Sequence, residues 1–434
     1  MLQAAAVGLL IRDTLAVLPA GNGHVAGRHD IYIARGDIVG IDEAPEGFAA
    51  NETIDGTRLL TIPGLVNAHT HAYLSVMRNM ADDLAFEDWL FGTVVAIERR
   101  LEPEDSYWAS LLSQVEMIRL GTTCFNDMGT HAGQTPRAAR ESGMRAVVCR
   151  ALAGEAYDRG NKRIDEALRE REEFAGCDRL NFFLGPHAPY SCGPGYLRMV
   201  ADLAREKGMG VHIHLAESQA ESVRIWARYH CTPVEYVRDA GIFDVPTVAA
   251  HCTRVSASDL AILAEHDVSV ATNPASNMKL GNGFAPVPGL MEAGVNLCLG
   301  TDGAASNNAQ NMLREMGLLA LVHKGASESP QCVSADDALR MATRGGARAL
   351  GLPCGSIEVG KKADLALLDL DAPSLTPLGD PVSALVYAAS GSEVDTVIID
   401  GKVVLRHREL QTIDEERVRF EVARICERLG LSRV

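Results

Sequence analysis

Short apolar–polar alternations open and close the chain, and a longer strand–helix alternation lies between them. Residues 1–60 carry VGLLIRD, HDIYIARGDIVGID and TRLLTI, separated by glycine, aspartate and asparagine. Alternation with period two, broken by turn formers, predicts hairpins. The texture returns from residue 361 in ADLALLDL, ALVYAAS and EVDTVIIDGKVVLRHREL, where Asp400-Gly401 is a strong hairpin signal. Neither terminal piece offers enough sheet to bury a face alone. Residues 1–60 and 361–434 are therefore expected to form one small β-sandwich domain.

Between them, strand-like runs alternate with helical ones. Eight strands are expected, over 59–71, 122–128, 145–152, 181–189, 210–218, 247–252, 268–274 and 296–303. Intervening segments such as EDSYWASLLSQVEMIRLG and PGYLRMVADLAREKGMG carry helical periodicity, with glycines placed for C-caps. Eight such repeats predict an α/β fold, a (β/α)8 TIM barrel over residues 61–360. The seventh crossover is short, which predicts a misplaced boundary there. Residues 304–350 supply terminal helices. The long insertion 72–105 predicts a helical lid over the barrel mouth.

Composition narrows the function classes. The chain has 434 residues, 47% of them hydrophobic, enough for one large barrel with an appendage. Its formal charge is −16, a field that repels phosphate backbones, so neither nucleic acid nor an anionic membrane is expected as a partner. No 18-residue apolar run predicts a transmembrane helix. The first residues lack a basic segment, and Arg12 and Asp13 interrupt the apolar stretch, which predicts a first strand in place of a signal peptide. Ten cysteines without a CxxC pair predict reduced core residues and a cytoplasmic location. A homo-oligomer is left open.

Candidate chemistry concentrates at the ends of the expected strands. His69 and His71 are two apart on an extended backbone and so face the same way. Strand 4 adds His187, strand 5 His212, His214 and Glu217, strand 6 His251, and strand 8 Asp302. In a β/α barrel these ends meet at one mouth. His69, His71, His214 and Asp302 suit one divalent ion, Zn²⁺ in the first place and Fe²⁺ as the alternative. Glu217 is placed to protonate a heteroaromatic ring nitrogen, Asp302 to take a proton from water, and His251 to orient that water. Each has a plainer alternative: a helix cap for the two acids, core packing or direct ligation for His251. His212 reads as a support for the ligands. Glu98 and Trp89 on the lid, Arg150 on strand 3 and His187 are candidate substrate contacts; surface charge or packing is the alternative for Glu98, Arg150 and Trp89. The chain has no phosphate loop and no nucleophile elbow.

PGLVNAHTH, ADDLAFEDWL, GPHAPYSC, HIHLAES, HCTRVS, NPASNMKLGNGFAPVP and LGTDGAASNN together resemble the amidohydrolase superfamily, in the branch of adenosine, guanine and s-triazine aminohydrolases. TDGAASNN, NPASNMKLGNG and IERRL most resemble 5-methylthioadenosine/S-adenosylhomocysteine deaminases. The resemblance implies a metal-dependent deaminase of a small molecule, a 6-aminopurine nucleoside such as methylthioadenosine, S-adenosylhomocysteine or adenosine. The alternative is a free aminopurine, pterin or s-triazine, or hydrolytic dechlorination. It also implies His69, His71, His214 and Asp302 as ligands, Glu217 as the proton-shuttling acid and His251 beside the water. Glu98 falls at a ribose contact, and Arg150 and His187 at pocket positions. Absence of a strand-4 lysine implies a single metal.

Overall fold

Gly64 is where the chain passes from one sheet to the other. The computed structural model describes residues 7–431. A Cβ at Gly64 would lie 2.2 Å from Thr123 Oγ1, so only glycine fits the crossing. Before it, Leu59–Pro63 belongs to the terminal sheet; after it, Leu65–Thr70 is the first barrel strand. The single strand expected over 59–71 is therefore two.

The barrel sheet consists of β1 (Leu65–Thr70), β2 (Thr122–Gly129), β3 (Arg145–Leu152), β4 (Leu180–Pro186), β5 (Val211–Leu215), β6 (Thr247–His251), β7 (Ser269–Thr272) and β8 (Asn296–Leu299). All neighbours pair in parallel. β8 returns to β1 through the Asp302 N–H on His69 O at 2.9 Å and the Thr301 N–H on Asn67 Oδ1 at 3.0 Å. The eight expected strands are all present. The short seventh crossover needs no shifted boundary: two brief helices, Pro274–Lys279 and Val287–Glu292, fill it. Pro103 opens the helix Pro103–Arg119, and Gly208, at φ +60°, closes Pro194–Lys207.

The terminal strands form one nine-stranded mixed sheet. Leu59–Pro63 is its hinge, antiparallel to Leu365–Asp369 and parallel to part of Val7–Ala20. Ile11, Ile31 and Ile38 from one end of the chain share an apolar cluster with Leu365, Leu367 and Ile398 from the other. Asp400-Gly401 makes the expected turn, both residues at positive φ. One expectation needs correction. ALVYAAS lies largely in the helix Pro381–Tyr387, because Asp380 caps the Ser383 N–H and Pro381 starts the turn. The last segment, counted with the β-domain, is a helix, Glu415–Leu429, tied to the barrel helix Pro103–Arg119 by Arg119–Glu415 and Arg428–Asp105 pairs.

The lid is built of short irregular turns. Ala72–Met77 is a 3₁₀ turn, Asp88–Val94 a π-helix and Val95–Glu98 one α-turn. Among the described residues no helix is long and apolar enough to cross a membrane.

Candidate metal and active site

Three imidazoles at the mouth have their outer nitrogens tied down. His71 Nδ1 donates to Met128 O at 2.8 Å, and His214 Nδ1 donates to His187 O at 2.7 Å. His69 Nδ1 faces His212 Nε2 at 2.8 Å, and the Asn126 side-chain amide meets His212 Nδ1. Such outer bonds fix the rings with Nε2 inward. His71 Nε2 and His214 Nε2 then lie 3.1 Å apart, and His69 Nε2 is buried without a hydrogen-bond partner. Facing lone pairs and an orphaned buried nitrogen are what a shared cation would satisfy.

Asp302 stands beside them, its Oδ1 3.4 Å from His69 Nε2 and 3.6 Å from His71 Nε2. Ser276 and Ser306 hydroxyls donate to its Oδ2, at 2.6 and 2.8 Å. Oδ1 accepts the Gly303 N–H at 2.7 Å and lies on the imidazole side. The ligand atoms of His69, His71 and His214 lie within 4.8 Å of one another, as do those of His69, His251 and Asp302. The donor set fits a divalent ion such as Zn²⁺. His251 Nδ1 faces Asn277 Oδ1 at 2.9 Å and its Nε2 lies 3.9 Å from Glu217 Oε1.

Burial sets the charges. It lowers the His69 pKa to about 4 and pushes His214 well below the usual imidazole range, which keeps both as neutral donors. The Glu217 carboxyl is pushed well above the usual range by burial first and by the Asp302 charge second. Burial also opposes the charge on Asp302, but the close approach of the His69 imidazole, with His71 and His251 beside it, holds its pKa well below the carboxylate range. An ionised carboxylate and a protonated one thus share the mouth, the division of labour that hydrolytic acid–base chemistry needs.

A cavity of about 310 Å³ opens over this group. Glu217, His251, Asp302, His71, His214 and His187 line its floor, and the lid supplies Trp89, Glu98 and an apolar wall of Phe86, Leu90, Phe91 and Val94. Trp89 Nε1 donates to Ala305 O at 3.2 Å, pinning the lid to the loop after β8. Glu98 accepts the Tyr73 hydroxyl at 3.2 Å, and burial raises its pKa. His187 Nδ1 meets Ser191 Oγ at 3.0 Å.

Arg150 corrects an expectation. Its guanidinium pairs with Glu166 at 3.1 Å and donates to Gly129 O, and it does not line the cavity. Glu166, one turn into the helix Lys162–Glu173, occupies it. Arg163 lines the cavity instead. It was hidden in the charged run NKRIDEALRERE, which reads as a solvated helix face. The available signal was its place in the first turn after β3, on the mouth side of the barrel.

The amidohydrolase family profile matches residues 60–404. The chain belongs to the amidohydrolase family. Within it, the chain is 46% identical over 395 residues to a 5-methylthioadenosine/S-adenosylhomocysteine deaminase of Acetivibrio thermocellus, covering 89% of this chain and 91% of that protein. A zinc-bound adenosine deaminase from Xanthomonas campestris superposes with a TM-score of 0.92 at 32% identity, over 99% of this chain and 100% of that one. An atrazine chlorohydrolase from Arthrobacter aurescens, complexed with zinc, gives a TM-score of 0.89 at 24% identity over 96% and 99% of the two chains, a likeness of fold alone. The protein is thus a metal-dependent amidohydrolase, and its imidazole cluster is suited to the zinc that the Xanthomonas structure carries.

Proposed function

We propose that the protein hydrolytically deaminates a 6-aminopurine nucleoside, with methylthioadenosine, S-adenosylhomocysteine and adenosine as the substrates. The observation that carries this reading is the 46% identity, over nearly the whole chain, to a deaminase of the first two. The cavity supports it: a half-buried acid, Glu98, lines the lid side where ribose hydroxyls need an acceptor, and an apolar lid wall suits a thioether. Ten free cysteines fit a reducing cytoplasm.

His69, His71, His214 and Asp302 would hold the ion, which when bound supplies the Lewis acidity that lets water deprotonate near neutral pH. Asp302, kept ionised, takes the proton of that water. His251 orients it through the inward Nε2. Glu217, kept protonated, donates to N1 of the purine as the oxygen adds to C6. The proton held by Asp302 passes to the departing amino group, the C6 hydroxyl returns one to Glu217, and collapse of the tetrahedral carbon expels ammonia and leaves the inosine analogue. Glu98 and His187 hold the substrate, with Trp89 closing the ring face.

The test is ammonia release by metal-analysed protein from matched nucleosides, free bases and s-triazines. Turnover of the nucleosides well above that of the free bases is expected. Faster turnover of free adenine or of a triazine would overturn the nucleoside reading.

A further inference from the structure

Glu217 leaves its strand by an unusual turn. Ala216, between it and β5, has φ +49°, the left-handed region that non-glycine residues rarely occupy. Such a conformation persists only where its surroundings over-determine it. Here they do. The Ala216 N–H donates to Glu221 Oε1 at 2.9 Å and the Glu217 N–H to Glu221 Oε2 at 3.0 Å. The Ala216 carbonyl accepts the Arg254 N–H at 3.0 Å, and the Glu217 carbonyl accepts the Thr253 hydroxyl at 2.7 Å. All four backbone polar groups of the turn are thereby held.

Glu221 is 2% exposed and is the third residue of the helix Gln219–Tyr229, whose N-cap is Ser218. An acid at that position ordinarily reaches back to the N-cap's own N–H. Asp105, Glu235, Asp259 and Asp337 do this at four other helices of this chain. Glu221 instead spends both oxygens on the two residues before the cap. Helix capping alone does not require that departure.

We infer that Glu221 is a positioning residue for the reaction: its carboxylate, opposed by Thr253, clamps the Ala216–Glu217 turn so that the Glu217 carboxyl stays aimed at the substrate ring. This rests on the role of Glu217 proposed above. The clamp acts through Glu217 and touches neither substrate nor ion.

The experiment uses the full-length zinc-loaded protein. Glu221→Gln is expected to speed amide hydrogen exchange across residues 215–218 by about ten-fold or more, because an amide cannot accept from both N–H groups. Zinc content stays unchanged, kcat falls about 10–100-fold and KM moves less than about two-fold, the range for misplacing an acid–base group. Placed in a Glu217→Gln background, the same change is expected to alter residual turnover less than about two-fold, since coupled residues are not additive. Unchanged exchange, or a full additive loss in the double variant, overturns the inference. Should Glu221→Gln fold poorly, Thr253→Val and Thr253→Ser decide: Val is expected to lower kcat and Ser to restore it, and equal behaviour of the two overturns the clamp. If wild-type protein turns over no nucleoside, the proposed function fails, while the exchange measurement still decides whether Glu221 holds the turn.

Discussion

Glu217 and His214 stand three positions apart, and burial strips charge from both. It raises the acid and lowers the base, so at neutral pH one carries a proton and the other a lone pair. Asp302 escapes the same pressure because the imidazoles of His69, His71 and His251 crowd its carboxylate. The consequence is a definite pH sign. An acid must be protonated to donate, and burial raises the Glu217 carboxyl toward that form; activity is expected to be lost as pH rises through its raised value. Glu217→Gln is expected to keep stoichiometric metal and lose at least about 100-fold in kcat. Its pH–rate profile should also lose the alkaline limb, since nothing remains there to titrate. Metal analysis beside the profile checks both; normal turnover, or an intact limb in the variant, would refute the acid role.

At the scale of elements, strand ends hold the ion site and the lid supplies the far wall. Glu98 belongs to a four-residue helical turn, and its carboxylate takes its only described hydrogen bond from Tyr73, on the 3₁₀ turn after β1. Two short, irregular pieces of one insertion thus meet over the cavity. Glu98→Ala is expected to raise KM for nucleosides about ten-fold, the worth of one charged hydrogen bond, and to leave free bases nearly unaffected. Steady-state kinetics on matched pairs checks this, and an equal effect on both classes rejects a ribose contact. These elements differ in how far they could be read. Barrel strands were legible because buried parallel strands are apolar runs ended by polar residues, and His69, His71, His214, His251 and Asp302 sit at those ends. The helix at ALVYAAS was not, since Asp380-Pro381 lies just upstream of an alternating run. Arg150 and Arg163 were interchanged for a different reason: nothing in sequence shows which arginine Glu166 will capture. Glu221 was passed over because Ser-x-x-Glu ordinarily means only a helix cap.

For the whole molecule, the question is how a terminal sheet made from both ends of the chain is fixed to the barrel. Arg145 begins β3 at the end opposite the mouth, and it is 2% exposed. Its Nε and Nη2 meet the two oxygens of Asp364 at 2.6 and 3.1 Å, and the Asp400 N–H donates to the same carboxylate at 2.8 Å. Asp364 also accepts the Gly64 N–H through its carbonyl at 2.8 Å, at the crossing between the sheets. One buried pair therefore joins the barrel floor, the crossover and the C-terminal hairpin. Removing one partner leaves a charge buried without compensation, which costs about 3–5 kcal/mol, whereas replacing both with apolar groups costs far less. Arg145→Met is accordingly expected to lower the denaturant midpoint sharply, and Arg145→Met with Asp364→Leu to recover much of the loss. Because the floor of such a barrel serves stability and its mouth serves chemistry, kcat of the folded fraction should stay near wild type in both variants. A midpoint that does not move with Arg145→Met, or a double variant as unstable as the sum of its parts, would show that the two sheets are joined by their apolar contacts and not by this pair.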